Sequence, residues 1–183
     1  MCYKANFLTN ITINDNHPHF QYKNGLLTTK DEQEVIFARR DLKENPILPD
    51  NINKIRSNAF FSCKQITSFC PQSKQIESIG PYAFYECENL QLVEIESSNS
   101  VTFCEKCFAF CSSLSNFFNK CDEISLKSFC FECCTSISGF DFKSKKISFD
   151  RQSITGCEKL ASISIYGDDF VDINKEEAIR FYK

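Results

Sequence analysis

Apolar side chains return along this chain at a fixed interval. Five cysteines fall at Cys63, Cys87, Cys111, Cys134 and Cys157, spaced by 24, 24, 23 and 23 residues. Three residues before each lies Phe60, Phe84, Phe108, Phe131 or Ile154, and eight before lies Ile55, Ile79, Phe103, Leu126 or Phe149. Three residues after each comes Ile66, Leu90, Leu114, Ile137 or Leu160, and six after comes Phe69, Val93, Phe117, Phe140 or Ile163. Chance does not fill five columns with apolar residues or Cys without exception. A unit this short cannot close a core alone, so neighbouring units must stack and share one.

Within each unit the segment after the Cys reads as a short strand. Leu90-Gln91-Leu92-Val93-Glu94-Ile95 ends in alternation, as do Phe140-Asp141-Phe142 and Ile163-Ser164-Ile165, and alternation sends side chains to opposite faces. The segment before the Cys, as in Gly80-Pro81-Tyr82-Ala83-Phe84-Tyr85-Glu86-Cys87, predicts a turn or short helix. One strand per unit builds a parallel sheet with a step of about 4.8 Å, so five units span roughly 24 Å. If Leu90, Val93 and Ile95 point inward, the positions between them face solvent. Most are small and polar, and Leu92 and Phe118 stand out beside Glu94, Asn116 and Asp141. Apolar anchors in a polar field mark interface hot spots, so these five residues are the candidate partner-binding set. The competing expectation is that Leu92 and Phe118 pack within the array.

The stretches Leu48-Pro49-Asp50-Asn51-Ile52-Asn53-Lys54-Ile55-Arg56-Ser57-Asn58-Ala59-Phe60-Phe61-Ser62-Cys63 and Ile76-Glu77-Ser78-Ile79-Gly80-Pro81-Tyr82-Ala83-Phe84-Tyr85-Glu86-Cys87-Glu88-Asn89-Leu90 resemble BspA-like leucine-rich repeats, whose pattern runs I-P-x-x-V-x-x-I-G-x-x-A-F-x-x-C-x-x-L. Later units drift from it: Gly80 is replaced by Cys104, Lys127 and Asp150. The resemblance implies a leucine-rich-repeat solenoid of the α/β class, with one short parallel strand per repeat and turns or short helices on the convex side. About five repeats then occupy residues 47–166. Residues 1–46 form an N-terminal segment with a capping β-hairpin, built from Phe20 to Leu27 and Glu34 to Ala38 around polar Thr28 to Gln33. Residues 167–183 form a C-terminal cap whose charged end, Lys175 to Lys183, fits a short amphipathic helix.

Composition sharpens one question. Of 183 residues, 12 are Cys and 19 are Phe. The repeat absorbs five Cys as buried small hydrophobes. Cys104-Glu105-Lys106-Cys107 and Cys130-Phe131-Glu132-Cys133 are two CxxC pairs, and two such knuckles on one ion make a structural zinc site. The repeat counts against it: Cys107 and Cys130 fall in the column of Ala59, Ala83 and Ser153, while Cys104 and Cys133 lie to opposite sides of that column. A Cys107–Cys130 bridge formed on oxidation is geometrically easier. Cys2, Cys70 and Cys121 follow no pattern.

Little in the chain points to catalysis. His17 and His19 flank Pro18 in a polar stretch, and five Gly leave little for a phosphate cradle. A net charge of −3 argues against nucleic acid as a partner. Lys143-Ser144-Lys145-Lys146, the one basic cluster, reads as a loop on a charged face. No signal peptide or membrane-spanning run is visible, so the expected location is the cytoplasm, or alternatively a cell surface reached by an unconventional route.

The expectation is therefore a non-enzymatic protein–protein interaction module without a cofactor, binding a protein ligand through its strand-lined face and not inserting into a membrane. Two alternatives stay open: a cysteine-rich structural zinc or redox-responsive protein, and a surface adhesion protein of bacterial or protozoan origin, as the resemblance implies for some members. A third alternative is a fragment or degenerate copy of a larger array with no partner of its own.

Overall fold

The computed structural model describes Leu8, residues 11–150 and 152–166, and the backbone of 169–173. Asn24-Gly25 makes the tight turn of the first hairpin. Both residues take left-handed φ values, 52° and 80°, which the mirror-image hairpin turn requires and Gly supplies without cost. It joins β1 (Phe20–Lys23) to β2 (Leu26–Thr29), and β2 pairs antiparallel with β3 (Glu34–Ala38). From β3 onward every pairing is parallel, beginning with Val35 beside Ile55.

The parallel strands form two ladders. One runs through β4 (Lys54–Ile55), β6 (Ser78–Ile79) and β8 (Val101–Phe103). The other runs through β5 (Ser68–Phe69) and β7 (Leu92–Glu96). They merge in β9 (Asn116–Leu126) and β10 (Gly139–Phe149), whose first halves extend the second ladder and whose last halves extend the first. β11 (Ser162–Ile165) and β12 (Asp169–Ile173) then pair with the two halves of β10. The result is a β-solenoid with two strand segments per coil, where the sequence pattern showed one.

The change of period explains the merger. In the 24-residue unit, residues 97–100 interrupt the strand at the corner between β7 and β8. The next two units are one residue shorter, and their strands pass the corner unbroken for 11 residues. Ser73, Ser97, Cys121 and Ser144 form a buried column at this corner. Ser73 and Ser97 donate to the carbonyls of Ile52 and Ile76, at 2.6 and 2.8 Å. Cys121 thus belongs to the repeat after all.

The side before each column Cys is turn throughout, and no described residue is helical. Its backbone forms a third inter-coil ladder: the N–H groups of Phe60, Phe84, Phe108 and Phe131 donate to the carbonyls of Ala83, Cys107, Cys130 and Ser153 at 2.7–2.8 Å. To reach that geometry each turn places two residues in the left-handed region. Asn58, Tyr82, Lys106, Phe129 and Gln152 precede the column Cys by five, and Ser62, Glu86, Phe110, Cys133 and Gly156 by one; all have φ of 53–70°.

Aromatic rings fill the interior. Phe60, Phe84, Phe108 and Phe131 stack coil on coil with centroids 4.7, 5.0 and 5.5 Å apart and planes within 14° of parallel. All four are fully buried, each contributing about 2 kcal/mol from area alone. The column thiols lie beside this stack. Cys87, Cys111, Cys134 and Cys157 donate to the carbonyls of Phe60, Phe84, Phe108 and Phe131 at 3.1, 3.1, 3.1 and 3.3 Å. At the N-terminal end of the column, Arg40 stacks over Phe37 with 4.6 Å to the ring centroid. Its guanidinium donates to the carbonyls of Ala38, Asn58 and Ala59, adding to the backbone bonds that Asn58 and Ala59 already accept from Phe61 and Ala38. The C-terminal cap expected from Lys175 to Lys183 lies outside the described residues.

Candidate functional site

β7, β9 and β10 position the candidate residues. Val93, Ile95, Phe117, Phe140 and Phe142 point into the core, so strand alternation turns Glu94, Phe118 and Asp141 outward. Parallel pairing then aligns them: Glu94 is the register partner of Phe118, and Phe118 of Asp141. Leu92 and Asn116 are partners in the neighbouring row. All five expected residues therefore share one face, three of them in a single row.

Phe118 is the prominent member at 51% exposed, and among the described residues it touches no other ring. Leu92 is only half-buried, while Glu94 and Asn116 are exposed. A groove of about 230 Å³ runs along the row, lined by Glu94, Glu96, Phe118, Lys120, Asp141 and Lys143. Its charges are unevenly satisfied. Glu96 binds both Lys74 and Lys120, the latter at 3.2 Å, and these ammonium groups hold its carboxyl below the usual range. Lys143 reaches Asp141 only at 4.0 Å, and one Asp141 oxygen is buried without a hydrogen bond. Glu94 has no ion pair among the described residues.

Sequence reasoning missed the floor and the rim of this groove. Asn119 faces inward at 5% exposed, donating to the Asp141 carbonyl at 3.2 Å and accepting from the Ser144 hydroxyl at 3.3 Å. The basic cluster is part of strand β10 and not a loop. There Ser144 is buried, and Lys145 and Lys146 pair with Asp122 and Glu123 of the preceding coil at 2.8 and 3.9 Å. Alternating acid and base between adjacent units was the available signal.

The CxxC cysteines are differently placed. Cys107 and Cys130 are fully buried next to the Phe stack, and burial pushes both thiols well up from their ordinary range. Cys104 and Cys133 are partly exposed. Among the described residues no group of three or more His, Cys, Asp or Glu side chains is disposed to hold a metal ion. Eleven Cys are described, and all are free thiols. His17 accepts backbone N–H groups of His19 and Phe20 through Nδ1, at 3.2 and 3.1 Å, folding the loop locally.

A second aromatic strip, Phe61, Tyr85 and Phe110, follows the turn side with centroids 5.2 and 5.3 Å apart. These rings contact one another, which distinguishes them from Phe118.

A parallel β-solenoid with two strand ladders and an aromatic spine defines the class: a stacked repeat protein with a strand-lined face. The model of the BspA type leucine rich repeat region matches residues 33–161 in six copies, more than two thirds of the chain, and the chain belongs to that family. The first copy begins at the β3 strand, one coil ahead of the Cys pattern. Among solved structures, the chain is similar to a leucine rich cell surface protein from Faecalibacterium prausnitzii (TM-score 0.66, 21% identity, 86% of this chain and 41% of that one). It is also similar to the Leucine Rich Repeat protein of T. pallidum (TM-score 0.54, 16% identity, 83% of each chain). A leucine-rich repeat protein from Eubacterium ventriosum follows (TM-score 0.52, 14% identity, 90% of this chain and 44% of that one). The chain thus spans under half the length of the first and third. At these identities the likeness shows the fold. No curated protein matches the chain. No helix among the described residues is long and apolar enough to cross a membrane.

Proposed function

We propose that this protein is a non-enzymatic binding module that docks a protein ligand on the face formed by β7, β9 and β10, through Leu92, Glu94, Asn116, Phe118 and Asp141. The observation that carries this reading is Phe118, a large aromatic half exposed on a strand paired on both sides. Holding it there forgoes burial worth about 1–2 kcal/mol, while every neighbouring Phe of the spine is buried. Repeat solenoids recognise partners on such regular faces, and aromatic anchors ringed by polar groups dominate interface energies. The site needs no cofactor. The free thiols fit a reducing compartment, which favours a cytoplasmic setting; display at a cell surface with an adhesive role is the second reading, favoured by family membership.

The test compares capture of partners from source-cell lysate by the native chain and by Leu92→Asp/Phe118→Asp, with Tyr85→Asp on the turn side as control. The double variant is expected to lose at least one partner that the native chain and the control retain. Recovery of every partner by the double variant would remove this face from consideration.

A further inference from the structure

We infer that the row Glu94–Phe118–Asp141 is a receptor for a single arginine side chain presented by the partner, an inference that rests on the strand face being the docking surface. Parallel pairing places a carboxylate on each side of the exposed ring, one strand spacing away, about 4.8 Å. A cation over an aromatic face is attracted by the ring quadrupole, and Arg favours this contact because its planar guanidinium stacks while its edges donate hydrogen bonds. With the guanidinium on Phe118, its two edges face Glu94 and Asp141, which accept them.

The two carboxylates of this row are less engaged than their neighbours. Of the other acidic side chains described on the paired strands, Glu34, Glu96, Asp122 and Glu123 each pair with a Lys or Arg. Glu94 does not, among the described residues. The accessible oxygen of Asp141 is held only by Lys143, and that contact, at 4.0 Å, is the longest ion pair among the described residues; the other oxygen is buried without a hydrogen bond and out of a ligand's reach. Lys120 and Lys143 rim the groove but belong to the next row, where Glu96 engages Lys120. The free base positions therefore lie in the ring's own row. Lys143 swings away when a stronger, bidentate donor takes its place.

The probe is N-acetyl-arginine amide, titrated into the full chain and followed by NMR at the Phe118 ring and the Glu94 and Asp141 amides. Saturable shifts with half-saturation in the millimolar range are expected. The isosteric, uncharged citrulline derivative, and the Glu94→Gln/Asp141→Asn and Phe118→Leu variants, should each weaken binding at least fivefold. Glu94 and Phe118 are exposed and Asp141 is half-buried, and an unchanged amide spectrum elsewhere verifies folding. Equal shifts with citrulline, or undiminished binding by the Gln/Asn variant, would overturn the arginine assignment. Failure of the assignment differs from failure of the surface. A partner captured by the Gln/Asn variant and lost by Leu92→Asp/Phe118→Asp leaves the face standing without the arginine.

Discussion

At the scale of single residues, the turn side is the most demanding part of the chain. Each coil holds two residues at positive φ, and nearly all carry side chains. A non-glycine residue there gives up about 1 kcal/mol, repaid by the inter-coil hydrogen bonds the geometry permits. Gly156 is the exception, with φ of 70° and Cys133 Sγ only 2.9 Å from where a Cβ would sit. Gly156→Ala is expected to destabilise the fold by about 1–2 kcal/mol, read as a lowered denaturant midpoint at unchanged m-value. The same geometry explains the Cys and Ala columns. A thiol is small enough for the space beside the Phe stack and still donates to a carbonyl, and Cys107 and Cys130 stand where Ala83 stands because the tight ladder leaves room for little more.

Elements show what the sequence could and could not reveal. The inner aromatic column was legible because Phe60, Phe84, Phe108 and Phe131 keep strict spacing. So was the outward row, since alternation around Val93, Phe117 and Phe140 leaves no other place for Glu94, Phe118 and Asp141. The ladder of β4, β6 and β8 was obscured for a physical reason: its strands are only two or three residues long, too short for any alternation to register. Its continuity in β9 and β10 depends on the loss of one corner residue. Two substitutions separate spine from surface. Phe108→Ala should cost about 3–5 kcal/mol, because a ring stacked on both sides leaves a cavity. Phe118→Ala should cost within about 0.5 kcal/mol. Thermal denaturation of the two variants checks the contrast, and a large loss from Phe118→Ala would mean that this ring serves the fold.

On the scale of the whole molecule, the solenoid concentrates thiols in a continuous core. Burial pushes Cys121 up to about 11 and Cys157 up to about 12, and drives Cys87, Cys111 and Cys134 well above the ordinary thiol range. A thiol raised on folding binds its proton more tightly in the native state. Its contribution is complete below the unfolded value near 9 and falls as pH rises toward the folded value. Each titrating thiol removes about 1.4 kcal/mol per pH unit in that window. Stability should therefore be flat from pH 6 to about 8 and drop steeply between roughly pH 9 and 11. Chemical denaturation across that range, with alkylation mapped by mass spectrometry, checks it: Cys70, Cys104 and Cys133 should react in the native state and the buried columns only on unfolding.

Which face meets a partner is open to one direct measurement. A photoreactive benzoylphenylalanine introduced in place of Phe118 on the strand face, or in place of Phe110 on the turn face, reports which side meets another protein in the source cell. The account predicts discrete adducts of defined mass from position 118 and background from position 110. Adducts from position 110, with none from 118, would contradict it.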